Sequence, residues 1–403
     1  MECFLARQPI LDRQQNLFGY ELLFRDGPEN WFRAKDHNLA SATLISNSSI
    51  WFDFLELVQG KRAFINTTME VLKSDQIFGL PPAHTVIEIL ETVHPSDELV
   101  AVCERLNRSG FTLALDDFIY DPEWDPVLKH IHWIKFDLTQ TPIAEVVPIM
   151  QHLGKYNISF LAEKVETQAE FDEAMQAGFS LFQGYFFAKP AVLRQRTVTV
   201  AKSNYMRLMA EINQPRLDFR KVGTVLSQDA GLSFGLLRFL NSAAFGFKRE
   251  IRSVQQAVVL LGEIQLRRWV NLALFQNMAE DKPAQLVLQA SVRGRFCELL
   301  SARIRHSLSE AEFFTGGLFS LMEALMDQPL AEVLGQIPLA EDLKGNLLGS
   351  IHGPLYHLVA AIQALEEADW ALLAGKAQAL KLEDSELFSV YGESIRWAQD
   401  LFR

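Results

Sequence analysis

Residues 86–116, VIEILETVHPSDELVAVCERLNRSGFTLALD, contain the repeating unit that predicts the fold of the first half of the chain. The unit begins and ends with short apolar runs, and residues 96–107 between them have the amphipathic pattern of a helix. Continuous apolar runs of this length are typical of strands buried on both faces, as in a parallel sheet. Each run carries a carboxylate near its end, Glu88 in the first and Asp116 in the second.

The same arrangement recurs along residues 1–195. Further strands are expected at the apolar runs in residues 5–10, 19–24, 64–66, 133–136, 160–163 and 181–183. A polar residue lies near the end of nearly every strand: Glu21, Asn66, Glu88, Asp116, Lys135, Glu163 and Gln183. Eight strands with intervening helices predict a TIM-like (β/α)₈ barrel, in which the ends of the strands converge on one mouth.

The pattern changes after Pro190. From about residue 196 onward, apolar residues recur at helical spacing, and glycines punctuate short segments. Residues 196–403 are therefore predicted to form a second, all-α domain, a compact bundle of many helices.

The composition excludes several classes of protein. The 403 residues carry a net charge of −12, which argues against broad electrostatic binding to nucleic acid. No stretch approaches the roughly 20 apolar residues of a membrane span, and early charges in the first residues argue against a signal peptide. Cys3, Cys103 and Cys297 are far apart and share no metal-ligand spacing. We expect a cytoplasmic protein with reduced thiols.

A series of short motifs in the first half occurs in one order and at regular spacing. The motifs are RQPI at 7–10, YELLFR at 20–25, IN at 65–66, EILE at 88–91, LDDF at 115–118, IKFD at 134–137, AEKVET at 162–167 and QGYFFAKP at 183–190. Together they make residues 3–190 resemble the EAL family of bacterial cyclic di-GMP phosphodiesterases, with Leu22 where the family usually has alanine.

The resemblance implies a site with two divalent ions, Mg²⁺ or Mn²⁺, that opens cyclic di-GMP to linear pGpG. The implied metal ligands are Glu21, Asn66, Glu88, Asp116 and Asp117. The implied catalytic residues are Glu163, Lys135 and Asp117, and the implied substrate contacts are Gln8, Arg25 and Gln183. Glu91 and Glu166 are interpreted as support for loops. Carboxylate and amide oxygens are the ligands that hard divalent cations prefer.

One departure from the family keeps a second function open. Active members usually continue after the paired aspartates as a glycine- and serine-rich loop that couples metal placement to dimerisation, whereas residues 116–126 here read DDFIYDPEWDP. Ile119 and Pro122 remove backbone freedom that glycine would supply. The alternatives are a phosphodiesterase, with a possible homodimer, and a weak or inactive EAL receptor or adaptor that binds cyclic di-GMP or a protein partner.

The second half resembles the HDOD domain, an all-helical relative of the metal-dependent HD phosphohydrolases. The likeness rests on LLRFLNSAAF at 236–245, IRSVQQAVVLLG at 251–262 and LRRW at 266–269. The sequence contains no His-Asp dipeptide, and the histidines of this half are His306, His352 and His357. The resemblance therefore implies a non-catalytic regulatory domain that engages an unidentified signalling protein.

Overall fold

The computed structural model describes residues 3–26, 55, 58–188, 200–214, 216–241, 251 and 253–401. It divides into two compact units: Met1–Lys189 with Gln363–Gln378 and Leu382–Arg403 form the first, and Pro190–Ile362 with Ala379–Lys381 form the second. The division near residue 190 lies close to the predicted boundary at residue 195. Two C-terminal segments nevertheless group with the first unit.

Eight strands of the first unit close into a barrel in sequence order, β1 to β8. Their bounds are β1 Cys3–Asp12, β2 Leu17–Asp26, β3 Arg62–Thr67, β4 Thr85–Ile89, β5 Thr112–Leu115, β6 Trp133–Asp137, β7 Ser159–Glu163 and β8 Leu181–Gln183. The predicted barrel is confirmed, and strands β2 to β8 pair in parallel.

Strand β1 differs from the regular pattern, because it runs antiparallel to both β2 and β8. Only a short turn joins β1 to β2. In this turn the backbone N–H of Gln15 donates to the Asp12 carbonyl at 2.9 Å, and that of Asn16 donates to the Asp12 carboxylate at 2.8 Å. A link this short forms a hairpin, whereas a parallel neighbour needs a crossover of a dozen or more residues.

Helices follow several strands of the barrel, as the sequence predicts. They are α1 Met69–Lys73, α2 Asp97–Arg108, α3 Asp125–Leu128, α4 Ile143–Leu153 and α5 Gln168–Ala177. The Ser96 hydroxyl caps α2 by accepting from the Leu99 N–H at 3.2 Å. Thr167 and Glu170 form the expected capping box at the start of α5.

The barrel interior is filled below its mouth by an apolar cluster. Its members are Ile10, Phe64, Val86, Ala114, Leu161 and Leu181, with Phe18 and Trp133 packed against them. Side chains two positions apart on a strand point to the same face. The polar residues Asn66, Glu88, Asp116, Glu163 and Gln183 each lie two positions beyond a cluster member, and Lys135 lies two beyond Trp133. The apolar layer therefore supports a polar layer above it.

The described residues of the second unit form helices, which confirms the predicted helical domain. The helices from residue 200 onward are α6 Val200–Ile212, α7 Phe219–Gln228, α8 Ala230–Leu240, α9 Val254–Met278, α10 Ala284–Ser301, α11 Glu310–Phe319, α12 Met322–Met326, α13 Leu330–Gly335, α14 Glu341–Leu347, α15 Pro354–Glu367, α16 Trp370–Leu380 and α17 Asp384–Leu401. Residues from 363 onward in α15, most of α16, and α17 belong to the first unit. No helix among the described residues is both long enough and apolar enough to cross a membrane.

Candidate active site at the barrel mouth

The ammonium group of Lys135 lies at the centre of the polar layer, on β6. Its Nζ atom is 2.8 Å from Glu88, 2.9 Å from Asp116, 2.9 Å from Glu163 and 3.4 Å from Glu21. The Lys135 side chain is only 1% exposed, so these ion pairs are shielded from water. Four carboxylates, three on strands β2, β4 and β7 and one directly after β5, thus converge on one buried cation.

A chain of amide hydrogen bonds holds the carboxylate of Glu21 in place. Asn66 Nδ2 donates to Glu21 Oε1 at 2.8 Å, and Gln183 Nε2 donates to Glu21 Oε2 at 2.6 Å. Gln183 Nε2 also donates to Gln8 Oε1 at 2.8 Å. The structure therefore brings two predicted metal ligands and two predicted substrate contacts into one network.

The paired aspartates lie where the chain leaves β5. Ligand atoms of Asp116, Asp117 and Glu163 all lie within 4.8 Å of one another, a spacing at which they could hold a metal ion. Asp117 has a φ of 42°, in the left-handed region that residues other than glycine seldom adopt. This conformation turns the chain sharply after Asp116, and the backbone N–H of Phe118 then donates to the Lys135 carbonyl at 3.2 Å.

Burial and mutual repulsion raise the pKa of most of these carboxyls. Burial, with Glu21 and Asp116 nearby, raises the pKa of Glu88 well above its usual value, although Lys135 opposes the shift. Burial is also the main reason that the pKa of Glu163 rises to about 8 and that of Asp117 to about 6. Protons therefore occupy part of this carboxylate set near neutral pH.

The pKa values of Glu21 and Lys135 shift in the directions that keep both groups charged. Burial acts to raise the pKa of Glu21, but Lys135 and the hydrogen bonds from Gln183 and Asn66 outweigh it and hold that pKa below its usual value. Burial acts to lower the pKa of Lys135, but the surrounding carboxylates raise it well above its usual value. The environment thus favours the charged forms of both Lys135 and Glu21.

The donor set fits a divalent cation. Four carboxylates around one ammonium carry an excess of negative charge whenever they are all ionised. Glu88 Oε2 and Gln183 Oε1 are buried and accept no hydrogen bond from the residues that the structure describes. A buried acceptor without a donor is costly unless a cation or water satisfies it. Hard oxygen donors of this kind suit Mg²⁺ and Mn²⁺ better than softer metals.

A cavity of about 170 Å³ opens beside the paired aspartates. Its polar lining comes from Asp116, Asp117, Glu91 and His94, and its apolar lining includes Ile119 and Trp124. The mouth therefore has space next to the carboxylates, on the side of the loop at residues 116–126 that departs from the family pattern.

The remaining predicted residues lie outside this network. Glu91 is exposed, and it borders the cavity. Glu166 is exposed, and its backbone N–H donates to Glu170 at 2.7 Å. Arg25 belongs to β2, but its side chain lies outside the described residues.

Sequence reasoning missed two features of the mouth. Gln8 Nε2 donates to the backbone carbonyl of Glu366 at 3.2 Å, a contact 358 residues away in sequence that no local signal could reveal. Gly184 has a φ of 145°, and a Cβ atom there would overlap the backbone of Val165. The glycine in QGYFFAKP was itself the available signal for this close approach.

Comparison with known families matches residues 59–190 to the EAL domain and residues 199–331 to the HDOD domain. A relative in Vibrio cholerae, the cyclic di-GMP phosphodiesterase CdgJ, is 35% identical over 403 residues, covering 99% of this chain and 93% of its own. The uncharacterized protein YuxH of Bacillus subtilis is 32% identical, covering 100% of this chain and 99% of its own.

A solved complex of Klebsiella pneumoniae BlrP1 with manganese and cyclic di-GMP is 24% identical to this chain. The match covers 46% of this chain and 55% of BlrP1, with a TM-score of 0.38.

Proposed function

Because the chain belongs to the family of proteins that join an EAL domain to an HDOD domain, we propose that it is a metal-dependent phosphodiesterase. Its proposed reaction opens cyclic di-GMP to linear pGpG. The observation that carries the proposal is the buried set of four carboxylates around Lys135 at the mouth of the barrel. A set of this kind is costly to maintain in a fold that does not use it, because each buried charge loses hydration.

Glu21, Asn66, Glu88, Asp116 and Asp117 would hold the metal, which we propose to be Mg²⁺ or Mn²⁺ at two positions. When bound, such ions polarise phosphoryl oxygens and make water a better nucleophile. The amide of Asn66 already orients the Glu21 carboxylate. Gln183 does the same from the opposite oxygen, so Glu21 has a fixed geometry before any ligand arrives.

The chain's own residues would manage charge and protons. Lys135 Nζ, held among carboxylates, supplies a positive charge for a phosphate at the mouth. Glu163 has a pKa of about 8, so it can accept or release a proton near neutral pH. Lys135 Nζ lies 2.9 Å from the Glu163 carboxylate, so the charge of each group affects the protonation of the other. Gln8, Gln183 and Arg25 would bind the dinucleotide.

The test is incubation of the purified full chain with cyclic di-GMP and Mg²⁺ or Mn²⁺, with products resolved by chromatography. We expect linear pGpG from the wild type and none from Glu21→Ala, because the mutation deletes a proposed metal ligand; circular dichroism of the variant checks that it remains folded. Glu104→Ala is the matched control, since Glu104 is exposed on α2 and pairs only with Arg108 among the contacts described. Equal product from wild type and Glu21→Ala would contradict the proposal.

The rewritten loop after Asp117 favours a second candidate function, a receptor or adaptor that binds cyclic di-GMP without cleaving it. The same incubation distinguishes the two, because a receptor binds the nucleotide and returns it intact. Equilibrium dialysis with the nucleotide and the metal measures that binding directly.

We further propose that the HDOD domain regulates the barrel or engages a signalling protein rather than catalysing a reaction. Among the described residues, the group of carboxylates that could hold a metal lies in the barrel, at Asp116, Asp117 and Glu163. Buried Asn271 instead accepts a hydrogen bond from Asn213 and donates one to Thr315, a neutral network in the helical core. We also propose that the protein works in the reducing cytoplasm, which fits the buried free thiol of Cys103.

A further inference from the structure

The loop that follows Asp117 is anchored by side chains rather than by glycines. Phe118 is buried, and its ring meets Trp124 at 5.7 Å and Phe136 at 6.1 Å in edge-to-face geometry. Asp121 accepts from the Glu123 N–H at 2.9 Å and caps the short 3₁₀ turn Pro122–Trp124. The loop therefore has a defined conformation although it lacks the glycines of the family pattern.

A second anchor ties this loop to helix α4 and the turn after it. The Tyr120 hydroxyl lies 2.9 Å from His152 Nε2 and donates to Asp125 Oδ1 at 3.3 Å. The Tyr120 ring also packs against the His152 ring, with centroids 4.9 Å apart. Lys155 pairs with Asp125 at 3.2 Å, and the Tyr156 hydroxyl donates to the Asp125 carbonyl at 3.4 Å. We refer to Tyr120, Asp125, His152, Lys155 and Tyr156 as the loop clasp.

The loop clasp bears on the proposed metal site because Asp117 lies three residues before Tyr120. Asp117 has a left-handed φ of 42°, a conformation that persists in a non-glycine residue only where the surroundings hold it. Phe118 is buried against Trp124 and Phe136, and Tyr120 is half-buried against His152. Asp117, Ile119 and Trp124 also line the cavity beside the carboxylates, and Ile119 and Trp124 are direct sequence neighbours of the clasp residues Tyr120 and Asp125.

We propose that Tyr120 is a positioning residue, whose hydroxyl holds the loop and thereby keeps the Asp117 carboxylate where it can share a metal ion with Asp116. The proposal rests on the metal site of the proposed function. All five residues of the loop clasp come from one chain. These contacts therefore form within a single copy of the protein.

The test compares Tyr120→Phe, His152→Phe and the double variant with wild type, in the full chain and without nucleotide. Tyr120→Phe keeps the ring and removes the hydroxyl, and His152→Phe keeps an aromatic ring and removes the ring nitrogens. Tyr356→Phe is the matched control, because the Tyr356 ring also packs against a histidine ring, that of His352 at 4.4 Å, but in the helical unit. Hydrogen–deuterium exchange reports on residues 117–125, and isothermal titration with Mn²⁺ reports on the metal site.

We expect Tyr120→Phe to speed exchange across residues 117–125 and to weaken Mn²⁺ binding about fivefold, the size of one neutral hydrogen bond. The double variant should be no weaker than Tyr120→Phe alone, because both mutations break the same contact. Wild-type exchange and wild-type Mn²⁺ affinity in Tyr120→Phe would overturn the positioning role while leaving the metal site in place. Faster exchange with unchanged affinity would overturn it as well, since the loop would then not position Asp117.

A wild type that binds no Mn²⁺ is a different result. It would overturn the metal site of the proposed function and, with it, the role of Tyr120 toward Asp117. The exchange data would still show separately that the loop clasp orders the loop.

Discussion

Replacing Lys135 with methionine should destabilise the metal-free protein and increase its response to metal. Lys135→Met keeps most of the side-chain volume and removes the cation that contacts four carboxylates at 2.8 to 3.4 Å. Removing one partner of a buried ion pair costs about 3–5 kcal/mol, because the other charges stay buried. For a unit of about 150–250 residues, each kcal/mol lowers Tm by about 2–4 °C. We therefore expect a fall in Tm of about 6–20 °C.

The pH dependence of this loss has a definite sign. Burial raises the pKa of Glu163 to about 8, so this carboxyl takes up a proton as the pH falls from 8 to 6. Lys135 opposes this rise, so the pKa of Glu163 is higher still in Lys135→Met, and the folded variant keeps a proton that the folded wild type loses as the pH rises from 6 to 8. Because the unfolded chain is ionised across this range, holding that proton costs the variant more stability at the higher pH. The stability deficit of Lys135→Met should therefore be smaller at pH 6 than at pH 8.

Differential scanning fluorimetry with and without Mn²⁺ provides the assay. A ligand at about 100 times its Kd stabilises a protein by about 2.7 kcal/mol, and Mn²⁺ has more uncompensated charge to neutralise in the variant than in the wild type. Lys73→Met is the control, because Lys73 pairs with Glu98 on the surface, where an ion pair contributes about 0–1 kcal/mol. A wild-type Tm for Lys135→Met, or a smaller Mn²⁺ response than in wild type, would refute the reasoning.

Two further predictions concern Glu163 and Gly184. The affinity for Mn²⁺ should rise from pH 6 to pH 8. Burial raises the pKa of Glu163 to about 8, and its carboxylate lies within 4.8 Å of the proposed metal ligands Asp116 and Asp117, so a bound cation should displace its proton. Titration calorimetry in two buffers should show this proton release, which Glu163→Gln should reduce. Gly184→Ala should lower Tm by the equivalent of at least about 1–3 kcal/mol. Its positive φ is unfavourable for alanine, and the added Cβ atom would overlap the backbone of Val165. Gly375→Ala in α16 has open space around it and should not lower Tm, so an equal loss in both variants would count against the steric reason.

The barrel was predictable because buried strands have a local sequence pattern, a short apolar run with a polar residue near its end. A run such as Val86-Ile87-Glu88-Ile89 shows both burial and the position of the carboxylate, and the structure has Glu88 on β4, fully buried at the polar layer. The antiparallel direction of β1 has a trace as well, namely the short link at Asp12. A parallel pair could not be closed by so few residues.

The contacts that order the loop after Asp117 have no such local pattern in the sequence. Tyr120 and His152 are 32 residues apart, and both types of residue are common on protein surfaces. The missing glycines after Asp117 indicated that the loop differs from the family pattern. They did not indicate that aromatic packing and a tyrosine hydroxyl hold the loop instead.

The C-terminal segments show that sequence-based prediction has the same limit for the packing of whole helices. Apolar periodicity in residues 363–401 predicts helices with one buried face, but it does not say which surface covers that face. In the structure these segments group with the barrel, and the Glu366 carbonyl accepts a hydrogen bond from Gln8, which itself accepts one from Gln183 at the mouth. Since Gln8 is a proposed substrate contact, the end of α15 lies next to the proposed binding site. The match to the HDOD domain ends at residue 331, so this part of the chain is explained by its packing on the first unit and not by the resemblance.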